Sequence, residues 1–215
     1  MQTRWEWLPA VAAPVVVTAG LLAAHSAALV FLAYHFGLCL ALPWLVSWRR
    51  GRDLPALRGD PAAVGVGLGL AVVGLAAPLL AWRWWPSLLP DAASLGAVLH
   101  GWGVDAAAAG PVLVFLAVVN GPAEELFWRG WLPARLRPGR GGRVLLLMLF
   151  SSYHTVTVGA LAPSPAAAAL MLTLVPAAAA FWTWSVRRWR SLWPAVLSHA
   201  GATLGYVAVC RWILG

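Results

Sequence analysis

NGPAEELFWRGWL, residues Asn120 to Leu132, places two adjacent carboxylates and an arginine inside a run otherwise built for lipid. A charged side chain at bilayer depth costs at least ~2.5–3.5 kcal/mol on insertion scales, so three of them within six residues point to chemistry. The surrounding chain is the matching context. Of its 215 residues, 61% are hydrophobic and only 10% are charged, against roughly a quarter charged in a soluble domain. The chain therefore reads as an integral membrane protein whose constant partner is the lipid bilayer.

The fifteen basic residues are all arginine and face seven carboxylates, for a net charge of +8. They sit in short clusters between apolar runs, where anionic headgroups are their natural partners, so no nucleic acid is expected. The abundance of Ala, Gly, Pro and Arg points to a GC-rich bacterial genome, hence to a bacterial inner membrane. Cys39 and Cys210 are far apart and lack metal-ligand spacing, which indicates neither a disulfide nor a thiolate metal site.

Working outward, seven apolar spans emerge. The first runs from Leu8 to Ala24. It ends in AHSA, similar to a signal-cleavage site, but a second span follows at once from Ala27 to Trp48, and a first transmembrane helix is the better reading. After a polar linker, Gly51 to Asp60, the third span covers Ala62 to Trp82. Its GVGLGL resembles a nucleotide loop only superficially; with no preceding strand, Gly65, Gly67 and Gly69 read as small residues for close helix packing. The Trp-rich segment from Arg83 to Gly103 reads as interfacial, with a short amphipathic helix and a solvated His100.

The fourth span starts near Asp105 and is expected to break at Asn120-Gly121-Pro122, so that Glu124 and Glu125 lie in the first turn of a restarted helix. The fifth, Val144 to Ala162, carries Tyr153 and His154, the sixth runs from Ala166 to Val186, and the last, Leu192 to Leu214, carries His199 and Thr203. His25 and His35 have no polar neighbour in sequence and read as interfacial or bundle-satisfied. The fold expected is all-α, a polytopic bundle of about seven to eight transmembrane helices around a buried polar active site, in one domain spanning 1–215.

Arginine counting orients the bundle. With the N-terminus cytoplasmic, twelve arginines fall on the cytoplasmic side, and only Arg83 and Arg211 fall opposite. Depth follows from the same loops: Glu125, His154 and His199 each lie roughly 13–17 Å along a helix from the nearest arginine cluster. In a core about 30 Å thick, three separate spans thus deliver polar groups to one level near the midplane.

Glu125 and Arg129, four residues apart, share a helix face and can pair, which offsets the cost of burying either. Glu124 points about 100° away and has no cation at helical spacing, which leaves it as the candidate general base. His154 can share in activating water, and His199 can donate to a developing oxyanion. Ser151, Ser152 and Ser198 lie near the histidines, but none has a nucleophile's setting. One Glu with two His is also a zinc-ligand set; without HExxH spacing, the expectation is no metal and no cofactor, with zinc as the lesser possibility.

These residues carry a resemblance. EELFWR at Glu124 to Arg129 matches an EExxxR motif, FSSYH at Phe150 to His154 matches FxxxH, and HAGAT at His199 to Thr203 nearly matches HxxxN. Together they resemble the intramembrane glutamic proteases that include the CAAX-processing and bacteriocin-processing endopeptidases, with a motif-bearing core over 105–206. The resemblance implies a cavity opening toward the cytoplasm, in which Glu124 and His154 activate water for peptide hydrolysis. His199 would stabilise the oxyanion with the residue four on, which is usually asparagine and here is Thr203. Glu125, Arg129 and Thr203 are the supporting residues.

The function expected is an intramembrane endopeptidase acting on a membrane-anchored protein or peptide, such as a C-terminal tail or sorting signal. The competing readings are a catalytically weak scaffold or immunity protein of the same fold, and a proton-relay transporter, which lacks the repeated half that such folds carry.

Overall fold

The computed structural model describes residues 4–49 and 60–215. The linker expected at Gly51 to Asp60 lies outside the described residues except for Asp60, as do Arg50, Arg52 and Arg58. Among the described residues there is no strand. The protein is a polytopic helical bundle, and eight helices define it: α1 Trp5–Ala23, α2 Ala27–Arg49, α3 Pro61–Trp84, α4 Ala92–Gly101, α5 Ala107–Leu136, α6 Arg140–Ser152, α7 Pro165–Trp189 and α8 Trp193–Leu214. Five of them, α1, α2, α3, α5 and α7, are long and apolar enough to cross a membrane. Of the seven spans expected, the fifth is cut short and the last, α8, has the length but carries more polar residues.

Carboxylates start these helices. Asp60 accepts the Ala62 amide at 3.0 Å, Asp91 that of Ser94 at 2.7 Å and Asp105 that of Ala108 at 2.7 Å, each satisfying a donor that has no partner within its helix. At Asp91, outside the spans, the Ser94 amide holds the carboxyl below the usual carboxylate range. Glu6 sits in the first turn of α1. Among the described residues, Glu124 and Glu125 are thus the only carboxylates beyond the first turn of a helix.

The expected break at Asn120-Gly121-Pro122 does not form. α5 continues through it, and a wide turn over Leu116–Asn120 precedes the proline. Pro122 removes the amide that would bond residue 118, and the wider winding accommodates its ring without ending the helix. The glutamates therefore lie mid-helix, away from any helix terminus, and must be stabilised by side chains. The fifth span departs in the other direction: α6 stops at Ser152 in a tight turn, Tyr153–Thr155. There Thr155 and Thr157 donate to the carbonyls of Ser152 and Tyr153, an alternative to the helical ladder.

α8 is held by α3 through glycines. A Cβ added to Gly67 would meet the Trp193 carbonyl at 2.8 Å, one on Gly74 would meet the Ala202 amide at 2.8 Å, and one on Gly201 would strike the Ala71 backbone. Gly65 and Gly69, expected to serve the same packing, face open space. On its other side α8 approaches α5 at Gly121, where a Cβ would lie 3.0 Å from the Ala200 amide. The turn between α1 and α2 is latched to the end of α4: the Ala27 amide donates to the Trp102 carbonyl at 2.7 Å, and His25, with φ of 48°, places its ring Nδ1 3.0 Å from the Gly101 carbonyl.

Candidate active site

Glu125, fully buried, accepts Arg129 Nη1 at 3.0 Å, as the four-residue spacing predicts. The guanidinium also lies 4.0 Å above the Phe150 ring and 5.3 Å from the Trp182 ring, so the first residue of FSSYH helps to hold the cation. The same Glu125 oxygen lies 2.9 Å from His199 Nδ1, and the His199 ring stacks on Trp182 with centroids 4.3 Å apart. This fixes the imidazole in plane and rotation.

Its other nitrogen, Nε2, lies 3.7 Å from Glu124 Oε2. One imidazole thus bridges the two glutamates, although their side chains leave α5 in different directions. The distance to Glu124 is too long for a direct hydrogen bond and suits a bridging water. The arrangement of α5 against α8, close because Gly121 has no side chain, is what brings them together.

Glu124 is not unpaired, as its lack of a helical cation had suggested. Its Oε1 accepts the Tyr34 hydroxyl at 3.0 Å and the Tyr153 hydroxyl at 2.9 Å; Trp128 Nε1 donates to Tyr34 at 2.9 Å, which orients that phenol. The two hydroxyls also lie 2.8 Å from each other, so two phenol hydrogens are shared among three oxygen–oxygen contacts, and Tyr34 accepts from the indole as well. Its Oε2 makes no hydrogen bond. One oxygen is therefore anchored and the other is available.

His154 turns Nδ1 onto the Phe150 carbonyl at 2.9 Å and stacks beside Tyr153 with centroids 4.5 Å apart. With the Nδ1 proton held by the carbonyl, Nε2 is left as the free base. His154, Glu124, His199 and Thr203 all line one cavity of about 360 Å³. The three spans do converge at one level, as counting from the arginines implied.

Two further side chains join them that sequence reasoning left out. His35, only 3% exposed, lies with Nε2 2.7 Å from Asn120 Oδ1, and both residues line the cavity. His35 Nδ1 is buried without a partner. A buried N–H without an acceptor costs more than a bare lone pair, so the proton belongs on Nε2, which donates to the carboxamide oxygen. The Asn120 amide NH₂ is then the group offered to the cavity. Asn120 stands four residues before Glu124, a spacing that could have placed it on the same face had it not been taken for a breaker.

The remaining candidates play smaller parts. Ser152 and Ser198 spend their hydroxyls on Leu149 and Pro194 carbonyls of their own helices. Cys39 and Cys210 are free and buried. Among the described residues, no group of three or more His, Cys, Asp or Glu is arranged to hold a metal ion.

Residues 106–205 match the model of the Rce1-like family, described as type II CAAX prenyl endopeptidase Rce1-like. This segment, a little under half of the chain, is similar to that family. The match covers the helices that supply both glutamates, Arg129, both motif histidines and Thr203; no curated protein and no solved structure matches the chain. The five apolar helices and this match support an integral membrane protein and, in general, a CAAX-type intramembrane endopeptidase.

On α5 the cavity is lined by Val112, Leu113, Leu116, Asn120 and Glu124, while Phe127, Trp131 and Leu136 beyond them are buried; a second, smaller cavity lies toward the arginine loops, lined by Trp128, Arg129, Pro133, Arg143, Phe150 and Arg187.

Proposed function

We propose that the protein is an intramembrane endopeptidase in which Glu124 and His154 activate a water against a peptide bond. The observation that carries this reading is the asymmetry of Glu124: Oε1 is anchored by two phenols, while Oε2 has no hydrogen bond and faces His199 across 3.7 Å inside the cavity.

A water bound by Glu124 Oε2 and His154 Nε2 gives its proton to the carboxylate as its oxygen attacks the carbonyl carbon. A C–O bond forms and the carbonyl π pair moves to oxygen. His199, when it carries both protons, keeps Nδ1–H on Glu125 and donates Nε2–H to that oxyanion, with the Asn120 amide and the Thr203 hydroxyl as further donors. Collapse of the tetrahedral intermediate breaks the C–N bond, and the proton taken from water passes to the leaving amine. Glu125 and Arg129 do no bond chemistry; they position His199. The substrate is a membrane-anchored protein or peptide, and no metal or cofactor takes part, so cleavage should survive a chelator.

Thr203 favours a second reading, a weakly active scaffold or immunity protein, because a threonine hydroxyl reaches less far than a carboxamide. Asn120, on the facing helix, weighs against it. The deciding test is processing of a co-expressed substrate by Glu124→Ala and His154→Ala variants that still insert in the membrane: each should abolish cleavage, and full activity in either refutes the mechanism.

A further inference from the structure

Arg129 has a second side. Its side chain makes one hydrogen bond among the described residues, from Nη1 to Glu125, whereas a guanidinium carries five N–H groups. That side chain is only 4% exposed, so its other donors have little open water to turn to. They border the smaller cavity instead. Arg129 lines that space and not the large one, and Phe150, under the guanidinium at 4.0 Å, is a wall of both.

Three helices build the smaller cavity. α5 brings Arg129, α6 brings Arg143 and α7 brings Arg187, and no carboxylate lines it. Arg143 gives Nη1 to the Pro138 carbonyl at 2.9 Å, and neither Arg143 nor Arg187 has an ion pair among the described residues. The hydroxyl in the wall, that of Thr183, donates to the Ala179 carbonyl at 2.8 Å, which leaves the arginines as the donors this space offers. Three cations around one small volume repel one another unless an anion lies between them. The remaining walls are apolar, with Leu146 and Leu147 from α6 and Val186 from α7. Beside them Leu145 and Met148 are exposed, so the apolar surface of α6 continues outward to lipid.

We propose that this cavity binds the phosphate of an anionic phospholipid, whose acyl chains lie along the apolar faces of α6 and α7. Phosphate accepts paired N–H bonds from guanidinium groups, the donors present here. A volume of about 70 Å³ is room for a few waters or one small oxyanion and is too little for an extended peptide. Position identifies the source of that oxyanion. Arg143 stands at the start of α6 and Arg187 near the end of α7, at the membrane boundary where headgroups lie and where arginine clusters attract anionic lipid. The site also adjoins the chemistry: Arg129 is its floor and the partner of Glu125, and Glu125 holds His199. A phosphate that completes the bonding of Arg129 steadies this chain from behind, and binding to the folded state raises its stability. The claim of binding is independent of the endopeptidase reading.

Full-length protein in detergent, titrated with phosphatidylglycerol or phosphatidylcholine and followed by native mass spectrometry and melting temperature, tests this. Phosphatidylglycerol should be retained about tenfold more tightly than phosphatidylcholine and should raise the melting temperature. Arg143→Gln/Arg187→Gln should lose about tenfold in affinity for phosphatidylglycerol, whereas Arg140→Gln/Arg188→Gln, which removes two exposed arginines of the same helices, should lose less than about threefold. Equal retention of the two lipids, or equal losses in the two double variants, overturns the proposal, because general surface charge then accounts for the binding. Arg143→Lys/Arg187→Lys controls for misfolding: it keeps both charges and should bind between wild type and the glutamine pair, and binding no better than the glutamine pair overturns the site. Two competitors settle the source. Inorganic phosphate that displaces the lipid at equal concentration assigns the cavity to the free anion. A short peptide that displaces the lipid only while its C-terminus is unamidated assigns it to a peptide carboxylate. Either result overturns the phospholipid.

Discussion

α3 and α5 are both long apolar helices in contact with α8, yet they use it in opposite ways. α3 has the higher mean hydropathy, 2.2 against 1.4, and leaves Leu68, Val72 and Val73 exposed toward lipid. It meets α8 along a seam of glycines and alanines, backbone against backbone. α5 meets the same helix through Glu124, Glu125 and the bare Gly121. α8 therefore has a packing face and a chemical face, and the first fixes where the second stands. In lipid, where apolar side chains gain little by meeting each other, close small-residue contact is what can set a helix to fractions of an ångström.

The comparison breaks first at Glu124. Glu124→Gln keeps an oxygen for the two phenols but removes the base, so activity should fall on the order of 10³-fold, within the range that general-base catalysis supplies. Thermal stability in detergent should stay near wild type. A large drop in stability would mean that the carboxylate belongs to the packing and not to the chemistry.

Glu125→Ala should do the reverse, acting on stability first. It strands a buried Arg129 with only aromatic faces to receive it, and breaking a buried pair from one side costs about 3 kcal/mol or more. Replacing Arg129 as well, in Glu125→Ala/Arg129→Leu, should recover part of the stability and none of the activity, since His199 still lacks its anchor. Unfolding midpoints with and without the second change check this.

On the α3 side, Gly201→Val should cost about 2 kcal/mol, because the added carbons meet the Ala71 backbone and a backbone cannot turn aside. Activity should fall with it as His199 is displaced. Gly65→Val, on the same helix pair but facing open space, should change neither by a measurable amount. Equal effects at the two positions would remove the packing face from the account.

What could be read in advance, and what could not, divides along the same line. The Glu125–Arg129 pair was legible because both partners lie on one helix turn, and the common depth of the histidines was legible because arginine clusters mark the membrane boundary in sequence. The anchors of Glu124 were not. Tyr34 precedes it by 90 residues, Tyr153 follows by 29, and hydropathy treats a tyrosine inside an apolar run as one more large side chain. His35 and Asn120 escaped for a related reason: each reads locally as a lone histidine or a helix breaker, and only the approach of α2 to α5 makes them a pair. Continuity of α5 through Pro122 depends on a wide turn that no local propensity signals.

The smallest effect tests the finest claim, that Glu124 works because one of its oxygens is immobilised. Tyr34→Phe removes one of the two phenol donors and leaves the ring, its packing against Tyr153 and the helix untouched. A hydrogen bond to a charged group is worth about 1.5–3 kcal/mol, but Tyr153 still holds the same oxygen. The remaining loss should be about 1.4 kcal/mol, or roughly tenfold in turnover. The Trp128 indole, left without its acceptor, should lower the melting temperature slightly as well. Tyr153→Phe should behave alike, and the double variant should lose more than the product of the two, since the carboxylate is then free to rotate Oε2 out of reach of the water. Strict additivity in that double-mutant cycle would instead mean that the phenols act independently, and that anchoring Oε1 has no part in aiming Oε2.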